Sequence, residues 1–228
     1  MNDFIRQYYQ KSIRLTPNGF SLYKREDDGQ TSVEHFQNTE NVLLGKKASD
    51  FFGLEATPYQ PIDIVTATHA PMLVPDEIYD DAKAAQYLQL QFDISQFGHH
   101  FSDQLSHYRA LYFLTQNEYS TINELSCLPR FVNEATLLHR FLSDQAKDEA
   151  VLLSVNDTFA DLIALHKGEP TLVNRITRME NVDILYYTLN CMQQFLLSDP
   201  TLYVLYFYQP NRKLNELLGK YHKNVIIL

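Results

Sequence analysis

The sequence predicts an α/β protein assembled from two copies of one βββαβα unit. Three observations carry that expectation. Residues 11–37 alternate apolar and polar positions between tight-turn signals, residues 150–176 repeat the arrangement further along, and an amphipathic helical pattern follows each stretch. A chain of 228 residues with 45% hydrophobic and 21% charged residues has the apolar content for one compact domain or two small ones.

In the first unit Ile13 and Leu15, Phe20 and Leu22, then Val33 and Phe36 mark three strands. Between them stand Thr16-Pro17-Asn18-Gly19 and Asp27-Asp28-Gly29-Gln30. Pro-Asn-Gly suits a turn that ends on a left-handed Gly, and Asp-Gly is a strong hairpin signal, so an antiparallel meander is expected. Residues 39–52 read as an amphipathic helix and 62–66 as a short strand. Pro75 reads as the first residue of a further helix, with Asp76 and Glu77 in the turn where free N–H groups favour anions. Residues 110–114 read as a strand, 118–128 and 133–141 as helices, and the polar stretch 143–149 as the boundary. The expected division is 1–147, a first half with a helical insertion, and 148–228.

The second unit opens with Val151, Leu153 and Val155, continues through Phe159, Leu162 and Ile163, and closes its meander over 171–176. Its turns fall at Asn156-Asp157 and Lys167-Gly168-Glu169-Pro170. Val182, Leu185, Leu189, Met192 and Leu196 step by three and four behind an Asn181 cap, which predicts a helix over 181–197. A strand over 202–207, a helix around 214–218 and a strand over 225–228 complete it.

Composition removes several functions. The 7 glycines stand apart, so none of the glycine-rich phosphate loops or the nucleophile elbow can be written. A net charge of -9 excludes the broad cationic surface that nucleic acid requires. The charge is uneven: residues 1–25 hold five Lys/Arg against Asp3, and 210–228 hold four against Glu216, which reads as two basic faces on an acidic protein. Cys127 and Cys191, each in an apolar helical pattern, read as core cysteines of a reducing compartment. No apolar run is long enough for a membrane span and the first residues hold no signal-peptide core, so the expected location is cytoplasmic.

Ser12-Ile13-Arg14-Leu15, Gly19-Phe20-Ser21, Leu73-Val74-Pro75 and Asp183-Ile184-Leu185-Tyr186-Tyr187 together resemble an uncharacterised bacterial family. That family is assigned the fold of actin, the sugar kinases and the heat-shock-70 chaperones, which the cytoplasmic domains of pilus and secretion assembly proteins also use. The resemblance implies two RNase H-like halves in an actin-like ATPase arrangement. In active members three turns hold the nucleotide. The first carries D-x-G-x-T/S, and its Asp and Gly fall here on Arg14 and Thr16, with Asn18 in the same turn. A cation in place of the metal carboxylate would repel Mg²⁺, and Thr adds a Cβ where backbone must approach phosphate. The second falls on Ser154-Val155-Asn156-Asp157-Thr158, without glycine, leaving Asp157 as at most a displaced metal ligand. The adenosine signature falls on Tyr206-Phe207, where aromatic bulk would fill the nucleotide's space. Asp27-Asp28-Gly29-Gln30-Thr31 spells the first motif but reads as a plain hairpin. No nucleotide cofactor is expected.

Other constellations are weaker. His100-x2-Asp103-x3-His107 would put three metal ligands on one face of a helix, though no fourth is evident and solvent-facing polar residues explain it as well. The carboxylates of Asp76, Glu77, Asp80 and Asp81 suit a helix N-terminus without chemistry. His69 reads as a hydrogen-bonded loop residue, and Cys127 with His139 as an unoriented pair on successive helices. The function these residues favour is a noncatalytic interaction or scaffold protein that binds an unidentified protein partner or itself. The alternatives are a residual nucleotide or small-ligand binder in an interdomain cleft and a metal-dependent hydrolase using His100, Asp103 and His107.

Overall fold

The alternation over residues 11–37 becomes β1 (Lys11–Thr16), β2 (Gly19–Arg25) and β3 (Thr31–Gln37), preceded by a short helix, α1 (Asp3–Tyr8). The structure, a computed structural model, describes residues 3–37, 43–93, 98–146, 148–177 and 180–228. In the meander Ile13 pairs with Leu22 and Phe20 with Phe36, and the rings of Phe20 and Phe36 stack at 4.7 Å. The turn into β2 works only with glycine. Gly19 has φ +144, and a Cβ there would sit 2.0 Å from the Phe36 carbonyl oxygen. Asp28 and Gly29 close the next hairpin, with Gly29 at φ 81 and the Gln30 amide donating to Asp28 Oδ1 at 2.8 Å.

After α2 (Leu44–Phe52) and β4 (Gln60–Thr66) the chain leaves the sheet for an insertion. The insertion comprises β5 (Met72–Pro75), α3 (Ala84–Gln89), β6 (His99–Leu105) and β7 (Tyr108–Leu114), with strand order β5-β7-β6. Helix α4 (Gln116–Asn123) then leads to β8 (Cys127–Asn133). Residues 39–42 of the expected first helix lie outside the described residues. Three expectations are corrected here. Pro75 ends an edge strand, where a missing N–H costs nothing, and the helix waits until Asp80 caps a 3-10 turn by accepting from the Ala82 amide. The helix expected over 118–128 stops at Asn123, and Cys127 opens a strand, since Pro129 has no place in a helix interior. His100 and Asp103 lie on β6, not on a helix.

Strand β8 pairs in parallel with β4, and β4 with β1, giving the order β3-β2-β1-β4-β8. Helix α5 (Glu134–Gln145) follows β8 directly, with Asn133 Oδ1 accepting from the Ala135 amide as its cap. The second sheet has β9 (Ala150–Val155), β10 (Phe159–His166) and β11 (Glu169–Thr177), then α6 (Asn181–Gln194), β12 (Thr201–Tyr206), α7 (Arg212–Tyr221) and β13 (Val225–Ile227). Its order, β11-β10-β9-β12-β13, reproduces that of the first. The α6 cap moves one residue from the expected Asn181: the Glu180 amide donates to Asp183 Oδ2 at 2.9 Å, and Asn181 instead accepts from Asn211. The chain divides into residues 3–136 and 137–228, inside α5 and ahead of the polar stretch that composition marked.

In the first unit α2 and α4 cover one sheet face, packing Leu44, Ala48, Phe52 and Ile122 against Ile13, Leu15, Phe20, Leu22, Ile62 and Ile64. A small core of Val74, Leu111 and Phe113 with Ala84 and Leu88 holds the insertion together. In the second unit Val151, Leu153, Leu162, Leu202 and Val204 pack under Ile184 and Met192 of α6 and Leu214 and Leu218 of α7. Cys191 belongs to that core, and burial pushes its thiol up to about 11. Among the described residues no helix is long and apolar enough to cross a membrane.

His139 of α5 is 8% exposed and its Nε2 has no hydrogen-bond partner among the described residues. Burial holds its pKa below the ordinary 6.5, assisted by Arg140 and opposed by Glu169. The unfolded chain therefore takes up a proton below pH 6.5 that the folded chain resists. Stability falls as pH drops through that window, and urea unfolding of His139→Leu shows a shallower acid loss than the parent. A Gly19→Ala substitution, by contrast, costs well over about 1 kcal/mol at any pH, because the methyl group meets backbone that cannot move away.

Candidate functional site

Strand alternation sends Ile13 and Leu15 into the core beneath α2 and turns Ser12 and Arg14 to the opposite face of the first sheet. Tyr9, just past α1, lies on that face with its ring 4.7 Å from Tyr23 and 5.7 Å from Phe4. Arg14, Tyr9 and Tyr23 are all fully buried. A guanidinium so placed needs a carboxylate, and the first residue of α5 provides it. Arg14 Nε donates to Glu134 Oε1 at 2.5 Å and Nη2 to Oε2 at 2.8 Å, a bidentate pair. The Tyr9 hydroxyl donates to Glu134 Oε1 at 2.6 Å. Burial, reinforced by the Glu134 charge, raises the Tyr9 pKa well above its ordinary value, so the hydroxyl keeps its proton. Burial alone would discharge Arg14, but Glu134 outweighs it and the guanidinium stays protonated.

This geometry amends the expectation for the first turn. Arg14 is not a bare cation that repels Mg²⁺; it is half of a closed, neutral pair filling its position. Thr16 is likewise unstrained. It is not among the residues with positive φ, the unusual backbone falls on Gly19, and Thr16 Oγ1 donates to the Gly19 carbonyl at 3.0 Å. Asn18 is exposed at the tip of the turn.

Beside the pair, at the head of α5, a second polar cluster is committed to structure. The Asn133 amide donates to Asp103 Oδ2 at 2.7 Å, Asn133 Nδ2 to Thr66 Oγ1 at 3.2 Å, and the Tyr112 hydroxyl to Asp103 Oδ1 at 3.2 Å. Burial and the Asp103 charge raise the Tyr112 pKa, keeping it a donor. Asp103 thus ties β6 to the start of α5. His100, three residues away on the same strand, points to the other face, and His107 lies in the β6–β7 turn, where its carbonyl accepts from the Asp76 amide. The three residues do not converge, and among the described residues no group of three or more His, Cys, Asp or Glu side chains could hold a metal.

The remaining candidates serve packing. His69 stacks on Phe113 at 4.6 Å and lies 5.4 Å from Phe92. Cys127 and His139 sit on β8 and α5, not successive helices, and burial raises the Cys127 thiol away from thiolate character. Asp76 pairs with Arg109 at 3.2 Å. In the second unit Ser154 and Asn156 are buried, Asp157 and Thr158 exposed, and the Asn156 amide closes the turn on the Phe159 carbonyl at 2.9 Å. Tyr206 belongs to the core beneath α6 and α7, and its hydroxyl, pushed up to about 12 by burial, donates to Asn215 Oδ1 at 2.6 Å. Phe207 is buried.

Sequence reasoning singled out Arg14 but missed Tyr9 and Glu134. An Arg among the alternating residues of a buried strand signals that a carboxylate must lie nearby, without saying which of the 28 acids it is. Breaking the pair leaves a buried charge unmatched. Arg14→Ala or Glu134→Ala therefore costs about 3–5 kcal/mol in urea unfolding, whereas the double change to Met and Leu costs less than either single.

The protein from Bacteroides thetaiotaomicron VPI-5482 with an actin-like ATPase fold and unknown function superposes with a TM-score of 0.77 at 18% identity, covering 100% of this chain and 94% of that one. A chain of the PilM-PilN type IV pilus biogenesis complex superposes with a TM-score of 0.59 at 13% identity, covering 95% and 87%. The first likeness shows the actin-like ATPase fold. A search of curated proteins finds no match. The family described as "Protein of unknown function (DUF3822)" matches residues 2–225, nearly the whole length, and the chain belongs to that family.

Proposed function

We propose that this protein is a noncatalytic member of the actin-like ATPase fold, working in the cytoplasm through contact with another protein or with itself. The observation that carries the reading is the buried Arg14–Glu134 pair with Tyr9 upon it. To make a metal or phosphate site of this turn, Arg14 would have to leave Glu134, and stripping one partner from a buried ion pair costs about 3–5 kcal/mol before any ligand contact forms. The second turn supports the same reading, since it has no glycine through which backbone amides could approach a phosphate. Tyr206 and Phe207 support it too, because their side chains are used in packing where the resemblance expects a glycine pair. The PilM-PilN assembly offers a parallel for this fold at work within a complex.

Thermal unfolding with Mg²⁺ and ATP, ADP or GTP tests the noncatalytic reading. A ligand held by the folded state at a hundred times its Kd adds about 2.7 kcal/mol, a rise of several degrees in Tm. The expected result is no rise with any of the three. A saturable rise with one of them overturns the reading in favour of a residual nucleotide binder.

A further inference from the structure

The sheet of the second unit ends at β13, and this edge differs from the other edge strands of the described residues. The rest are blunted or covered: Glu34 on β3, Pro129 and Arg130 on β8, Pro170 on β11 and Pro75 on β5, while Asp103 of β6 accepts from the Asn133 amide at the end of β8. Strand β13 is Val225-Ile226-Ile227, three β-branched residues with neither charge nor proline. Ile226 is 44% and Ile227 43% exposed. The Leu202 amide donates to the Asn224 carbonyl and the Leu228 amide to the Val204 carbonyl, so the even-numbered residues serve β12. Alternation then turns the backbone N–H and C=O of Val225 and Ile227 to the open side.

Charge specifies what such an edge would accept. Between residues 210 and 228 the sole acid is Glu216, bound to Arg212 at 2.9 Å, and Lys213, Lys220 and Lys223 are exposed and have no ion pair among the described residues. Lys220 lies in the last turn of α7 and Lys223 stands two residues before β13, so both precede the open strand closely in the chain. We infer that β13 takes up an extended, acidic peptide segment of a partner protein as an added strand. Its main chain pairs with Val225 and Ile227, its apolar side chains lie on one sheet face beside Ile227, and its carboxylates lie on the other within the field of Lys220 and Lys223. The inference rests on the interaction reading above and names the partner's chemistry.

Fluorescence anisotropy with a labelled synthetic peptide of alternating Glu and Val, added to the full chain, tests it. Binding is expected to weaken at least about tenfold in Lys220→Glu/Lys223→Glu and to fall steeply with salt. Ile227→Pro removes an outward N–H and a half-exposed side chain without breaking a hydrogen bond to β12, so it is expected to stay within a few degrees of the parent melting temperature while losing the peptide. Hydrogen exchange should slow at Val225 and Ile227 when the Glu–Val peptide is bound. Equal binding of a Lys–Val peptide, unchanged affinity in Ile227→Pro, or no binding of the Glu–Val peptide overturns the inference. So does concentration-dependent self-association that protects the same amides, since a second copy would then own the edge. Nucleotide titration of the same samples separates the two readings: loss of the peptide result without nucleotide binding removes the docking edge alone.

Discussion

The buried pair between Arg14 and Glu134 is the constraint on which the first unit depends. An ion pair taken out of water gains little net stability, but once both charges are inside, neither can leave without exposing the other to a low-dielectric interior. The consequence is positional. Arg14 belongs to β1, Glu134 to the first turn of α5, and Tyr9 follows α1, so one carboxylate fixes three segments distant in the chain. The neighbouring Asp103–Asn133–Thr66 cluster secures the start of α5 from the other side. At this position on β1 the space is filled by the protein's own side chains.

The two units share one strand order and use it differently. In the first, the sheet face away from α2 is polar yet buried, carrying Ser12, Arg14 and Ser21. In the second, the face away from α6 is mainly apolar, with Leu152, Ile163, Tyr203 and Leu205 buried. Even there one ion pair recurs. Arg175 binds Asp161 directly across β10 and β11 at 2.7 and 2.8 Å, with its guanidinium 3.8 Å from the centroid of the Phe159 ring. That pair joins adjacent strands of a single hairpin, whereas Arg14 and Glu134 are 120 residues apart. The sequence-distant pair is the one that can tie separate elements of a fold together.

Much of this architecture was legible in the sequence, for physical reasons specific to each segment. The two meanders announced themselves because turn chemistry and alternation agree at Gly19, at Asp28-Gly29 and at Lys167-Gly168, where both last residues take positive φ. The α6 and α7 helices were clear from their period and β12 from its apolar run, although α6 ends at Gln194, short of the expected 197, and leaves Val182 and Leu196 exposed. The insertion was not. Pro75 looks like a helix start when only its neighbours Asp76 and Glu77 are weighed, and Cys127-Leu128-Pro129-Arg130 shows no apolar alternation because Leu128, on the exposed side of this edge strand, is itself apolar. The ligand-like spacing of His100, Asp103 and His107 depended on a helical period that a strand abolishes. Arg14 was readable as an anomaly, but its partner was not, since local pattern holds no record of which distant carboxylate will meet it.

The most direct test of the central claim is a crystal structure of the chain grown with Mg²⁺ and a non-hydrolysable adenine nucleotide. The account predicts that the Arg14 guanidinium stays bidentate on Glu134 and that no phosphate density lies against residues 14–16. Phosphates seated on that turn, with Arg14 turned away from Glu134, would contradict it.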